Sequence, residues 1–113
     1  MAGTRVSSYN RSTYIEDEFL TIPASGATAV GMAPEKPGNT QIAIVRFVKN
    51  ASQTGGTTPI GYFNLNGIDA DSQDMPIYDG DLWEFYESDI SDFRVNSSDA
   101  NTPTACVHYY RAT

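Results

Sequence analysis

The chain has 113 residues, 40% of them hydrophobic and 12% aromatic. That is enough for one compact domain burying roughly two thirds of the surface of the unfolded chain, and too little for two independent cores. The formal net charge is −7, and a field of that sign repels phosphate backbones and anionic lipid, which argues against nucleic-acid and membrane-surface binding.

The charge is unevenly placed. Residues 69–99 hold ten of the fourteen acids and one base, Arg94, while residues 1–14 hold Arg5 and Arg11 and no acid. The single cysteine, Cys106, excludes an internal disulfide and a cysteine-based zinc site.

Residues 1–14 are polar apart from Val6, Tyr9 and Tyr14 and show no sustained period, which predicts an extended arm. The first twenty residues lack the apolar run of a signal peptide, and no stretch approaches the roughly 20 apolar residues of a spanning helix. The expectation is a chain made in a cytoplasm and working without a membrane anchor.

"EFLTIPASGATAVGM" has two short apolar runs, 18–22 and 27–32, around Pro23-Ala24-Ser25-Gly26, which predicts a hairpin. "APEKPGN" is a loop. "QIAIVRFVKNAS" is the most strongly β-patterned segment, with Ile42, Ile44, Arg46 and Val48 on one face and Ala43, Val45, Phe47 and Lys49 on the other. Both faces begin apolar, as in a central strand.

"PIGYFNLNG" reads as a strand closed by Asn66-Gly67, and "IDADSQD" as a polar loop ending at Met75-Pro76. Asp79-Gly80 is a turn pair leading into "DLWEFY", where Trp83 and Phe85 point inward. After a break at Ser88, "ISDFRV" alternates as a strand with Phe93 and Val95 on one face. "NSSDANTP" is a loop and "TACVHYYR" the last strand.

Seven or eight short strands with frequent turn signals and no sustained 3.6 period predict an all-β fold, an antiparallel β-sandwich or jelly roll. The predicted organisation is an N-terminal arm over 1–15 and a single domain over 16–113. The predicted core contains Ile44, Phe47, Trp83, Phe85, Phe93, Val95 and Val107.

"IYDGDLWEFYESDISDFRV", residues 77–95, carries six carboxylates among large apolar side chains. They fall at turns and on outward strand positions, so they read as the wet face of a sheet rather than a glycosidase-like pair across a cleft. "DADSQD", with Asp69, Asp71 and Asp74, begins like a calcium loop but lacks the glycine at the sixth position and the later bidentate glutamate. It reads as a solvated acidic loop.

Cys106 and His108 share a strand face, but two residues without a third ligand or an orienting group make neither a zinc site nor a nucleophilic one. Tyr62, Trp83, Tyr86, Tyr109 and Tyr110 would form a sugar-stacking platform only if they shared one exposed face, and some must fill the core. The glycines lie in loops without the following helix of a phosphate site. The sequons at Asn10, Asn50 and Asn96 read as coincidence in a Ser- and Asn-rich chain. No cofactor or metal is expected.

The strands and turns of "GYFNLNGIDADSQDMPIYDGDLWEFYESDISDFRVNSSDANTPTACVHYYR" resemble the small β-sandwich virion proteins of tailed bacteriophages. The matching features are the strand after Gly80, the "ISDFRV" strand at Ile90 to Val95, and the closing strand from Cys106 to Arg111, with "IAIVRFVKNAS" and "PIGYF" similar to their paired strands. The resemblance covers about residues 41–111 and includes no catalytic signature.

It implies a non-enzymatic capsid decoration (cement) protein on the outside of a phage head, partnered by the major capsid protein and assembled as a homotrimer. Arg5, Tyr9, Arg11 and Tyr14 of the arm would bind the capsid, since Arg and Tyr are frequent interface anchors. The alternatives are a minor tail or head-tail connector component, and a carbohydrate-binding module for host glycan.

Overall fold

The alternating segments of the sequence become two antiparallel sheets in the computed structural model, which describes residues 12–112. The elements in chain order are β1 (Ser12–Thr21), β2 (Ile42–Val48), β3 (Gly61–Asn64), β4 (Met75–Ile77), β5 (Leu82–Tyr86), α1 (Glu87–Asp92), β6 (Arg94–Ser97) and β7 (Thr104–Ala112). A short 3-10 turn lies at Pro37–Asn39. The larger sheet has the order β1-β7-β2-β5 and the smaller the order β4-β3-β6.

The sheets meet over one core, as the alternation demands. From the large sheet come Leu20, Ala43, Val45, Phe47, Phe85, Ala105, Val107 and Tyr109; from the small sheet come Phe63, Ile77 and Val95, with Ile22, Ile60, Ile90 and Phe93 filling between. Trp83 is half-buried and packs on this core. Phe63 is the hub of its aromatic part, with ring centroids 5.0 Å from Trp83, 5.3 Å from Phe85 and 5.6 Å from Phe93. The first two are edge-to-face, and such contacts add about 1 kcal/mol each beyond burial.

The fold is thus an all-β sandwich with one short helix, and β2 is an inner strand between β7 and β5. Ile44 is a correction: Ala43, Val45 and Phe47 take the core face, so Ile44 lies half-buried on the opposite face, opposite His108 and Glu84. An apolar residue flanked by apolar neighbours carries no phase of its own, and pairing to β7 fixed it.

The arm boundary also moves. Ser12 pairs with Ala112, Thr13 with Arg111 and Tyr14 with Tyr110, so residues 12–15 belong to the sheet and Tyr14 is a strand residue. Arg5, Tyr9 and Arg11 lie outside the described residues.

The expected hairpin over 18–32 does not form. β7 occupies the place beside β1, and after the turn at Gly26 (φ +83°) the chain crosses to the small sheet, where Val30 bridges Val95 in both directions. The strand expected over 90–95 is instead α1 followed by β6. Ile90 and Phe93, three apart, both reach the core, and Glu87 and Asp89 sit in the first turn, where the helix dipole favours negative charge. Met75–Ile77, read as the end of a loop, forms the edge strand β4 beside β3.

Among the described residues no helix is long and apolar enough to cross a membrane.

Candidate functional site

Most carboxylates of the chain are engaged in holding its own backbone. On the inward face of β1, Glu16 accepts the backbone N–H groups of Glu35 and Lys36 at 2.9 and 3.0 Å. Glu18 accepts the N–H of Ala33 at 3.1 Å and the hydroxyl of Tyr109 at 2.5 Å. Burial, and then this bond to a carboxylate, push the Tyr109 hydroxyl well above the ordinary tyrosine pKa.

The acidic loop behaves in the same way. Asp69 accepts the N–H of Ala29, Asp71 that of Gln73, and Asp74 that of Asp71 together with the Asn64 amide. Asp79 accepts the N–H of Lys49 and Asp81 that of Tyr78, clamping the turn at Gly80 (φ +85°). Among the described residues no group of three or more His, Cys, Asp or Glu side chains is placed to hold a metal ion.

Asn96, one of the sequons, is fully buried. Its side chain accepts the N–H of Ala70 at 2.9 Å and donates to the carbonyls of Ala24 and Ala27 at 3.2 and 3.0 Å. Two loops, the turn at 24–27 and the loop at Ala70, are thereby tied over the outer side of the small sheet.

The outer side of the large sheet is different. Strand register lays it out in rungs of side chains: Tyr14, Tyr110, Ile42 and Tyr86; then Asp17, His108, Ile44 and Glu84; then Phe19, Cys106, Arg46 and Leu82; then Thr21, Thr104 and Val48. Seven large hydrophobic side chains are exposed among the described residues, and five of them (Tyr14, Phe19, Val48, Leu82 and Tyr86) are here. Phe19 is 72% exposed and the other four between 39% and 51%. An isolated exposed apolar side chain is ordinary, whereas a set on one flat face marks an interaction surface.

Polar groups punctuate this face. His108 Nδ1 lies 2.6 Å from Asp17 Oδ1, and the Tyr14 ring stands 6.4 Å from His108 and 5.9 Å, edge-on, from Tyr110. A hydrogen bond to Asp17 is the main cause that raises the Tyr14 hydroxyl above its ordinary pKa. Tyr86 donates to Glu84. Arg46 is exposed, and among the described residues it has no ion-pair partner.

Asp17 is the orienting group that sequence reasoning did not supply for His108. Cys106 is nevertheless one rung away, about 7 Å along the strand, and no hydrogen bond joins it to His108 among the described residues. The two share a flat, open face, and a nucleophile needs its base within hydrogen-bond reach. The tyrosines expected as a stacking platform are split: Tyr86 and Tyr110 join Tyr14 on the outer face, Tyr109 and Trp83 face the core, and Tyr62 stands in the small sheet.

At the Tyr86 end the face continues into a groove of about 890 Å³ lined by Met32, Pro34, Pro37, Tyr86 and Ile90, among others. Phe19, Leu82, Val48, Arg46 and Asp17 went unassigned in the sequence. The signal for them was present in β2, whose Ile42-Ile44-Arg46-Val48 face is nearly as apolar as its core face. Comparison of the chain with protein-family models, with curated proteins and with solved structures returned no match.

Proposed function

We propose that the protein is a non-enzymatic structural component of a tailed-phage virion, a decoration (cement) protein that binds the outside of the head and stabilises the shell of the major capsid protein. The observation that carries the assembly role is the set of exposed hydrophobic side chains, Tyr14, Phe19, Val48, Leu82 and Tyr86, on the outer side of the large sheet, since a set of this kind on one face marks an interaction surface. The resemblance of residues 41–111 to small virion sandwiches supplies the setting. The carboxylates support a passive role, because Glu16 and Glu18 of β1 and the aspartates of the 69–81 loops are engaged as backbone acceptors.

In this reading Arg5, Tyr9 and Arg11 extend from the start of β1 onto the shell, and many copies each bound weakly add up to a resistant particle. The test is the copy number of the chain per purified virion, by quantitative mass spectrometry against the major capsid protein. Hundreds of copies in a simple ratio to the shell protein are expected. A few to a few dozen would move the protein to the tail or head-tail connector, and absence would overturn the virion reading.

A carbohydrate-binding module is the second reading, favoured by the exposed rings of Tyr14 and Tyr86 beside the carboxylates of Asp17 and Glu84. Glycan-array binding abolished by Tyr86→Ala, with the fold intact, would select it.

A further inference from the structure

We propose that the partner of the exposed hydrophobic side chains on the outer side of the large sheet is a second copy of this chain, packed sheet to sheet about a twofold axis. The inference rests on the reading above that this face is buried in the assembled protein. Its starting observation is the distribution of charge on the face: Arg46, which has no ion-pair partner among the described residues, lies on the rung next to that of Asp17 and Glu84. A face holding both signs in adjacent rows complements itself, and a twofold contact requires that property.

The register supplies the fit. Consider an axis in the contact plane that crosses the strands midway between the Asp17-His108-Ile44-Glu84 rung and the Phe19-Cys106-Arg46-Leu82 rung. It lays each strand over its own counterpart and reverses the order of the rungs. Arg46 then comes over Ile44 of the second copy, one strand spacing (about 4.8 Å) from that copy's Glu84, within the reach of an arginine, and symmetry makes the contact twice. The same operation lays the exposed Phe19 ring over the Asp17-His108 pair of the second copy and Leu82 over its Glu84.

Size sets the strength. Four strands and four rungs cover about 20 by 20 Å, so two copies bury on the order of 1,000 Å², the lower limit for a specific contact. A dissociation constant in the micromolar range is therefore expected rather than an obligate dimer. The contact uses the sheet face, whereas the ring of three implied by the resemblance would close through strand edges, so mass distinguishes them.

The experiment is sedimentation equilibrium of the full chain over roughly 1 to 500 μM. Expected is a reversible monomer–dimer equilibrium that Phe19→Ser weakens at least tenfold, that Arg46→Glu weakens, and that Arg46→Glu with Glu84→Arg restores. Circular dichroism melting of each variant checks that the sandwich is intact. A monomer throughout, a trimer, or a dimer unaffected by Phe19→Ser or by Arg46→Glu would overturn the proposal. Copy number in the virion is read independently, so a failed dimer and a failed virion reading are distinguishable.

Discussion

The two sheets differ most on their outer sides. The small sheet is roofed by the chain itself, with Asn96 buried beneath two loops, three of whose backbone groups it satisfies. On the outer side of the large sheet Ile42 and Tyr110 are buried, whereas Tyr14, Phe19, Val48, Leu82 and Tyr86 are exposed along its rungs. Burial therefore separates side chains of one chemical type: Phe63, Phe85 and Phe93 hold the fold, and Phe19 is exposed.

Substitutions sharpen that contrast. The largest effect belongs to the core: Phe93→Ala removes a fully buried ring and should cost about 4 kcal/mol, read as the midpoint shift in urea unfolding. Next is the roof of the small sheet. Asn96→Ala strands the N–H of Ala70 and the carbonyls of Ala24 and Ala27 and should cost about 3 kcal/mol, or about 10 °C in Tm.

Tyr109→Phe should cost about 1 kcal/mol, because Glu18 loses one hydrogen bond but keeps the N–H of Ala33. It should also change the alkaline limb of stability. Tyr109 holds its proton above the value of the unfolded chain, so the folded form binds more protons than the unfolded one once pH passes about 10. Its stabilisation is complete below that pH and is lost as pH rises further. The wild-type protein should lose stability above about pH 10, with a smaller loss in Tyr109→Phe, measured by urea midpoints across pH 8–12.

The smallest effect is expected on the open face. Phe19→Ser should change stability by less than about 0.5 kcal/mol, although it removes a side chain as large as Phe93. A cost comparable to that of Phe93→Ala would break the contrast between the faces, since it would mean that Phe19 already packs within the monomer.

The legible parts of the fold were those where one pattern excluded others. The alternations of 42–48, 82–86 and 104–111 fixed three of the four strands of the large sheet, and Asp79-Gly80 fixed the turn before β5. The helix was missed because Ile90 and Phe93 fit a three-residue spacing while Phe93 and Val95 also fit alternation, and six residues are too few to separate the periods. Ile44 belongs to the outer face although the sequence points it inward, because β2 is apolar on both faces and alternation alone does not choose between them. Tyr14 was assigned to an arm because its partner in pairing, Tyr110, lies at the other end of the chain, where local sequence carries no information about it.

The register of β1 also sets where the N-terminal segment can be cut. Removal of residues 2–11 tests Arg5, Tyr9 and Arg11 without touching β1, and it should leave Tm within about 2 °C while weakening binding to phage heads. Removal through Tyr14 would also strip the rungs that pair with Tyr110 and Arg111.

The most direct test of the docking face is hydroxyl-radical footprinting of the free, dilute protein against the protein assembled on phage heads, read by mass spectrometry at Tyr14, Phe19, Leu82 and Tyr86. Rapid oxidation of all four in the free protein and strong protection of them in the assembly is the predicted result. Equal oxidation in both states, with protection appearing on the small-sheet side instead, would contradict it.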